Sequence, residues 1–326
     1  MQIVNSNPWR AGFIVMLAAA LASECAAQSY PTRSVRGVVT AAPGGGNDFV
    51  ARVLAQRLSE RLGQTVVIDN RGGSGGLVGT MAVAAAAPDG YTLLFCFVNF
   101  AIYPALYRKL PFDPTTAFAP ISTLAATPLV LVVPSSHPVK SVAELIALAR
   151  AKPDQLNFAS TGVGSLGHLA GELFKSMTGA GMTHVSYKGG APAIAALLAG
   201  ESQLYFSTMP AALTQVKAGR LRALGVSGAK RAAADPGIPT IAEAGVPGYD
   251  VTGWFGLLAP ARTPATTVNL LNGEVNKVLK LADVRERLAM EGVEALGSTP
   301  QEFGVLIRNE IAKWSRVVRA AGIPAE

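Results

Sequence analysis

The chain has 326 residues, half of them hydrophobic, with 15% charged residues and a formal net charge of +7. This composition indicates a well-packed globular protein with room for two α/β domains, and it excludes a disordered chain. The lysines and arginines are scattered, without basic runs or interleaved aromatic residues, so nucleic acid is not an expected partner.

The N-terminal segment has the pattern of an export signal. An arginine precedes an apolar stretch at 11–22 that is too short to span a bilayer comfortably. Small side chains up to Ala27 suit cleavage before Gln28, and an uncleaved membrane anchor is the alternative. We therefore predict that residues 1–27 are a signal peptide and that the mature protein is periplasmic.

Strand and helix signals alternate from Ser34 onward, which is typical of a mostly parallel sheet with helices on both faces. The predicted strands are 35–41, 65–69, 91–97, 129–133, 156–159, 184–187, 203–207 and 221–227. One of the intervening helices begins at a capping box formed by Ser141 and Glu144. After Pro264 the chain is predicted to be helical, at 268–281, 282–290 and 300–320.

The first glycine-rich turn follows the first predicted strand and leads directly into a helix. Segment 41–48 contains three consecutive glycines, which let the main chain approach a ligand without interference from Cβ atoms. The N–H groups at a helix N terminus favour an anion there. A side chain at Gly45 is therefore expected to block binding. Asn47 or Asp48 is either the N-cap of the helix or a ligand contact.

A second such turn, at 160–168, adds hydroxyl groups. Ser160, Thr161 and Ser165 can each donate a hydrogen bond to a carboxylate oxygen, and Ser165 also suits the N-cap of the next helix. His168 is either packed inside that helix or a ligand contact. Two turns of this kind, in separate halves of the chain and without lysine or arginine, predict a ligand held from both sides in a cleft.

Three enzyme or metal interpretations are disfavoured. Residues 162–167 read G-x-G-x-x-G, but no acidic residue ends the following strand to hold a ribose. Residues 72–76 read G-x-S-x-G, but no histidine lies late in the chain to serve Ser74 as a base. The three histidines and two cysteines are dispersed, so neither a metal site nor a disulfide is expected, and Cys96 is a core residue.

Several segments resemble one family by their shared order and spacing. These are Tyr30-Pro31, Pro43-Gly44-Gly45 with Asp48, Leu62-Gly63-Gln64, Ala87 to Leu93, Tyr107 to Pro111, His168 to Phe174, Tyr187-Lys188-Gly189, Pro239-Thr240 and Glu243 to Gly248. From residue 30 to about residue 324, the chain resembles the Bug-type extracytoplasmic solute receptors of tripartite tricarboxylate transporters. In that family the glycines and the aspartate of the first turn line the ligand pocket.

The resemblance implies an α/β, two-lobed, periplasmic-binding-protein-like fold of type II, with a mostly parallel sheet in each lobe and the ligand cleft between them. We assign residues 28–128 and 257–326 to lobe 1 and residues 129–256 to lobe 2, joined by two crossover segments. The predicted ligand-binding residues are Ala42, Pro43, Gly44, Gly45, Asn47, Asp48, Asn99, Ser160, Thr161, Gly164, Ser165, His168, Tyr187 and Ser207.

The expected function is capture of a small organic carboxylate and its delivery to the membrane subunits of a tripartite tricarboxylate transporter, by a monomer without cofactor, metal or enzymatic activity. A sensor that reports the carboxylate to a membrane kinase is an alternative, and a nucleotide-cofactor enzyme is a weaker one. Many relatives carry acidic residues in the strand at 203–207, and this chain does not. A ligand without an ammonium group, a non-amino mono- or dicarboxylate, is therefore favoured.

Overall fold

The computed structural model describes residues 30–153 and 155–325, and the predicted signal peptide lies outside these residues. The strands are β1 (Val35–Val39), β2 (Val66–Asn70), β3 (Thr92–Phe97), β4 (Phe118–Pro134), β5 (Asn157–Ser160), β6 (Thr183–Ser186), β7 (Leu204–Thr208), β8 (Leu221–Val226), β9 (Thr252–Pro260) and β10 (Glu294–Ala295). The helices are α1 (Gly46–Leu62), α2 (Leu77–Ala84), α3 (Asn99–Leu106), α4 (Val142–Ala151), α5 (Leu166–Thr178), α6 (Gly190–Ala199), α7 (Met209–Lys217), α8 (Ala265–Val278), α9 (Ala282–Ala289) and α10 (Pro300–Ala320).

The strands form two sheets that share β4. In the first sheet the order is β2-β1-β3-β9-β4, with β10 on the far side of β4. In the second sheet β4 lies between β8 and β7, and β5 and β6 follow β7. The β4 residues up to Pro128 pair with β9, whereas those from Leu129 onward pair with β7 and β8. One continuous strand therefore connects the two sheets.

Each sheet is mixed, whereas the sequence predicted mostly parallel sheets. Strands β1, β2 and β3 are parallel to one another, as are β5, β6 and β7. The strands near the junction pair antiparallel, including β9 with both β3 and β4. The antiparallel pairs arise because the chain crosses between the sheets along β4 and returns along β9. The α/β class is confirmed, and the boundaries of the two lobes stay a prediction.

The helices are fixed by local signals and by a continuous core. Helix α10 begins at a reciprocal capping box, in which Thr299 accepts from the Glu302 N–H and the Glu302 carboxylate accepts from the Thr299 N–H. At α4 only one of the two bonds forms. Ser141 Oγ accepts from the Glu144 N–H, but the Glu144 carboxylate accepts from the Lys140 N–H instead of the Ser141 N–H. Buried residues from both sheets and from the helices, such as Leu94, Phe158 and Trp314, belong to one hydrophobic cluster. The turns at the strand ends are therefore held on a rigid support.

Candidate functional site

The loops that follow β1, β2 and β3 lie at one edge of the first sheet, because these three strands are parallel. The loops that follow β5, β6 and β7 share an edge of the second sheet for the same reason. Most of the predicted site residues lie in these loops or in the first turns of the helices that follow them. Ligands of open α/β sheets bind at the carboxyl ends of strands, so these edges are where a site is expected.

The first glycine loop, residues 40–45, leads into the N terminus of α1. Phe49 donates the first backbone hydrogen bond of the helix, to Gly45 O at 2.9 Å. The N–H groups of Gly46, Asn47 and Asp48 precede it, and within the described residues no acceptor reaches them. All three residues are buried. The first N–H groups of a helix have no acceptor within the helix, so this helix end is suited to bind an anion.

The Asp48 side chain stabilises the first glycine loop from within. Its carboxylate accepts hydrogen bonds from Gly44 N and Asn70 Nδ2 at 2.9 Å each, and from Arg52 Nε at 2.9 and 3.0 Å. Burial raises the pKa of Asp48, but the bonds from Arg52, Gly44 and Asn70 outweigh burial and hold that pKa below its ordinary value. Asp48 therefore stays ionised and shapes the loop, and Gly45 rather than Asp48 occupies the N-cap position.

Asn47 is also directed into the protein. Its Nδ2 donates to Phe95 O at 2.9 Å and to Thr40 Oγ1 at 3.1 Å, which ties α1 to the end of β3. With the side chains of Asn47 and Asp48 both engaged, the groups that remain free at this helix end are backbone donors. Ala42 and Pro43 are exposed on the same loop.

Gly46, which was not among the predicted site residues, faces the second sheet directly. A Cβ atom built on Gly46 would lie 3.4 Å from Thr208 Oγ1 and 3.8 Å from Phe255 Cζ. A Cβ on Gly45 would instead lie 3.4 Å from Ala42 O, within its own loop. Thr208 ends β7, and its side chain makes no cap bond to α7. The α1 N terminus thus faces a hydroxyl group on the opposite side of the junction.

The segment Gly72–Gly76 packs directly against the first glycine loop. A Cβ on Gly72 would lie 3.1 Å from Ala42 N, and one on Gly76 would lie 2.8 Å from Thr40 O. Asn99 Nδ2 and Tyr103 Oη both donate to Gly75 O at 3.1 Å. The contact of this segment with the first glycine loop could not be predicted from the sequence, because it depends on the pairing of β1 with β2.

The second glycine loop, residues 161–165, leads into α5. Ser165 is the N-cap, and its Oγ accepts from His168 N at 3.3 Å. Ser160 Oγ contacts His184 Nε2 at 2.6 Å, donates to Gly162 O at 3.0 Å and accepts from Gly162 N at 3.1 Å. Thr161 is half-buried in the same turn. Ser165 therefore keeps its own hydroxyl proton available, whereas Ser160 is used to hold the loop.

His168 and His184 stack beneath this loop, with ring centroids 3.8 Å apart. His168 Nδ1 accepts the Gly164 N–H at 3.0 Å, so the ring is neutral and fixes the loop backbone. Burial, with His184 and Lys175 nearby, lowers the pKa of His168 to about 3. Burial and Lys175 lower the pKa of His184 to about 4. The contacts of His168 are those of a packed histidine that supports the loop.

The remaining predicted site residues outside the glycine loops are Tyr187, Ser207 and Asn99. Tyr187 follows β6, where its N–H donates to Ser160 O at 3.0 Å, and its hydroxyl lies 3.0 Å from Ser202 Oγ, just before β7. Ser207 is buried at the end of β7, where its Oγ donates to Thr208 O at 3.1 Å. Asn99 begins α3 beside Gly75. All three residues therefore lie at the edges where the loops are, and the Tyr187 hydroxyl is engaged with Ser202.

The two sides of the junction touch at the second glycine loop. A Cβ on Gly164 would lie 1.8 Å from Leu106 Cδ1, and one on Gly253 would lie 3.0 Å from Leu166 Cδ2. Two hollows, of about 450 and 290 Å³, lie at the C-terminal ends of α4 and α5 and contain none of the predicted site residues. Helix C termini disfavour anions, so these hollows are not the candidate carboxylate site.

The enzyme interpretations gain no support from the geometry. Ser74 lies in a short 3₁₀ turn with φ of +46°, and both His168 and His184 are engaged elsewhere, with Gly164 and Ser160. Among the described residues, no group of three or more His, Cys, Asp and Glu side chains is arranged to hold a metal ion. Over the same residues, no helix combines the length and apolar character needed to cross a membrane.

The chain is similar to known proteins along most of its length. Protein BugT of Bordetella pertussis is 37% identical over 311 residues, which cover 95% of each chain. Rpa4515 of R. palustris, solved with adipate, is 41% identical with a TM-score of 0.88, and the match covers 91% of this chain and all of that one. MatC of Rhodopseudomonas palustris, solved with bound malate, is 33% identical with a TM-score of 0.83, over 89% of this chain and all of that one.

The periplasmic binding protein BugD is 32% identical with a TM-score of 0.86, over 91% of this chain and all of that one. These structural neighbours confirm the predicted periplasmic-binding-protein fold. The family model described as the tripartite tricarboxylate transporter family receptor matches residues 50–323. The chain therefore belongs to the family of tripartite tricarboxylate transporter receptors.

Proposed function

We propose that this protein is a periplasmic receptor that binds a small organic carboxylate between its two sheets and presents it to the membrane subunits of a tripartite tricarboxylate transporter. The observation that carries the proposal is the N terminus of α1, where the N–H groups of three buried residues lack acceptors among the described residues and Gly46 faces Thr208. A carboxylate placed there accepts backbone hydrogen bonds from one side and a hydroxyl bond from the other.

The charge distribution supports a ligand held by neutral donors. The guanidinium of Arg52 is already bonded to Asp48 and Asn70, and neither glycine loop contains a lysine or arginine. The helix dipole stabilises an anion at this end, and backbone donors need no reorganisation to bind it. The relatives solved with adipate and with malate have carboxylate ligands, which agrees with this chemistry.

The proposed role requires neither a chemical step nor a cofactor, and we propose that the protein acts as a monomer. Closure of the two lobes about β4 and β9 would enclose the ligand. A sensor for a membrane kinase would use the same closing cleft. Transport is preferred because the family model is that of transporter receptors.

Calorimetric titration of the protein purified from the periplasm tests the proposal. The panel contains mono-, di- and tricarboxylates, aromatic acids, and the amino acid matched to each dicarboxylate. We expect binding of at least one non-amino carboxylate, and we expect the matched amino acid to bind more weakly. Silence across the panel, or tighter binding of aspartate or glutamate than of succinate or glutarate, would refute the proposed ligand class.

A further inference from the structure

The larger of the two hollows, of about 450 Å³, lies between elements of different sheets. Most of its lining comes from the C-terminal ends of α4 and α5, which connect β4, β5 and β6. The remaining wall consists of Ala320 and Ala321, at the C-terminal end of α10. Helix α10 is fixed to the first sheet, because Phe303 packs on Trp254 of β9 with ring centroids 5.5 Å apart. Glu310, further along α10, accepts from the Trp254 indole at 3.2 Å. The hollow is therefore a gap between the two sides of the junction.

No polar contact holds this gap at a fixed width. Arg150 Nε, in the lining, donates to Thr178 O at 2.7 Å, and Lys175 Nζ lies 3.0 Å from Glu172 Oε1, so these groups bond on their own side. Among the described residues, no hydrogen bond or ion pair joins the end of α10 to α4 or α5. The other lining residues are mainly alanine and glycine, whose side chains fill little of the gap. A change in the width of the hollow therefore breaks no hydrogen bond or ion pair.

The glycine loops and this hollow lie on opposite sides of the place where the chain crosses between the sheets. The crossing is at Pro128 in β4 and Thr252 in β9, which pair with each other. Helix α5 begins beside it, since a Cβ on the adjacent Gly253 would lie 3.0 Å from Leu166 Cδ2. The second glycine loop precedes Leu166, and the hollow lies at the other end of α5, ~20 Å away for a helix of 13 residues. A rotation about this crossing that brings the glycine loops together therefore widens the hollow.

We propose that the larger hollow is the rear side of a hinge, and that a side chain filling it raises ligand affinity. This inference rests on the proposed function, in which closure about β4 and β9 encloses the ligand. When the glycine loops move apart, the end of α10 approaches α4 and α5, so a bulky group in the hollow obstructs the open arrangement. A cavity of about 150 Å³ accommodates a benzene ring, so the hollow has room for an indole when the loops are together.

The gain in affinity is set by how much of the ligand-free protein is already closed. The apparent affinity of a receptor falls by the fraction of molecules that have the binding-competent arrangement. A closed fraction of about 10% lowers the affinity about tenfold, so obstructing the open arrangement can raise it by up to that factor. The bonds to the ligand stay the same, because the hollow contains none of the predicted site residues.

The variant Ala321→Trp tests the inference on the protein purified from the periplasm. Calorimetry with the best carboxylate of the panel should show binding about three- to tenfold tighter than in the wild type. Small-angle X-ray scattering without ligand should show a smaller radius of gyration for the variant. Ala320→Trp, one position earlier, repeats the test, and urea unfolding checks that both variants are folded.

Ala143→Trp is the matched control. Ala143 lines the smaller hollow, whose walls all come from residues 143–247, between the two crossing points of the chain. A side chain there does not obstruct the approach of α10, so the affinity and the radius of gyration should equal those of the wild type.

Unchanged or weaker binding by both α10 variants refutes the inference and leaves the proposed function intact, as does a gain of equal size in Ala143→Trp. An unchanged radius of gyration in both α10 variants also refutes it. If the wild type binds nothing in the panel, the proposed function is refuted, and the scattering comparison then decides on the hinge alone.

Discussion

Replacing Gly46 by alanine should strongly weaken ligand binding without weakening the fold. Gly46 is the first residue of α1, and Cβ atoms in a helix lean toward its N terminus. The new methyl group would lie 3.4 Å from Thr208 Oγ1, in the space that a carboxylate oxygen needs in order to reach the free N–H groups. The substitution therefore places an apolar group between the donors and the ligand.

The size of the effect follows from the number of bonds lost. A hydrogen bond to a charged group contributes about 1.5–3 kcal/mol, so losing two of the three backbone bonds costs about 3–6 kcal/mol. This loss corresponds to a fall in affinity of roughly 10² to 10⁴. Folding should benefit at the same time, because glycine within a helix is less favourable than alanine by about 0.5–1 kcal/mol.

Gly273→Ala is the matched control. Gly273 lies inside α8, and a Cβ there meets no atom within 4 Å, so this variant should gain similar stability and keep its affinity. Affinity is measured by calorimetry with the best carboxylate of the panel, and stability by urea unfolding. A Gly46→Ala protein that binds the ligand as tightly as the Gly273→Ala protein does would show that the carboxylate does not bind at the α1 N terminus.

Three further predictions concern the loop supports and the core. Ser165→Ala removes an N-cap and a free hydroxyl, so urea unfolding should show a loss of about 1 kcal/mol and calorimetry an affinity about tenfold lower; an affinity equal to the wild type would exclude Ser165 from the site. The lowered pKa values of His168 and His184 mean that the unfolded chain binds more protons below pH 6.5, so stability is complete above pH 6.5 and falls as the pH drops toward 4 and then 3. At pH 5 each histidine should lower the free energy of unfolding by ~2 kcal/mol. Between pH 6.5 and 5 the His184→Gln variant should therefore lose less stability than the wild type, and equal losses would contradict the lowered pKa of His184. Glu310 accepts hydrogen bonds from two buried indole N–H groups, so Glu310→Leu should lower the free energy of unfolding by about 1–3 kcal/mol per unpaired donor and Glu310→Gln by much less, with equal losses speaking against this role.

Sequence patterns located the elements whose signals are local. All eight predicted strands are present in the described structure, with ends that shift by a few residues, and the last helix begins at its predicted proline. The first half of β4, residues 118–128, was not predicted as a strand because it contains Pro120 and Pro128 and lacks alternation. Pro120 lies where the register between β4 and β9 shifts, a position at which a strand tolerates proline. Helix α3 was missed because it is short and contains Pro104.

The candidate site was predictable as a pair of loops but not as a set of contacts. Both loops can be recognised in the sequence, one by its run of glycines and the other by its hydroxyl side chains, because each follows a strand and precedes a helix. Which glycine faces the opposite sheet depends on the position of Thr208, which only the tertiary structure gives. The stacking of His168 on His184 likewise joins a helix to a neighbouring strand, and no periodicity within either segment reveals it.

The strand that serves both sheets also limits how members of this family can be recombined. A chimera that exchanges the second sheet has to break the chain between Pro128 and Leu129, where the hydrogen-bonding partners of β4 change. It has to rejoin before Thr252, where β9 begins to pair with the first sheet. A graft made at these two points leaves each strand paired with strands from its own parent protein. It transfers only the second sheet, which carries Thr208. The two sides of the proposed ligand site can therefore be exchanged between family members separately.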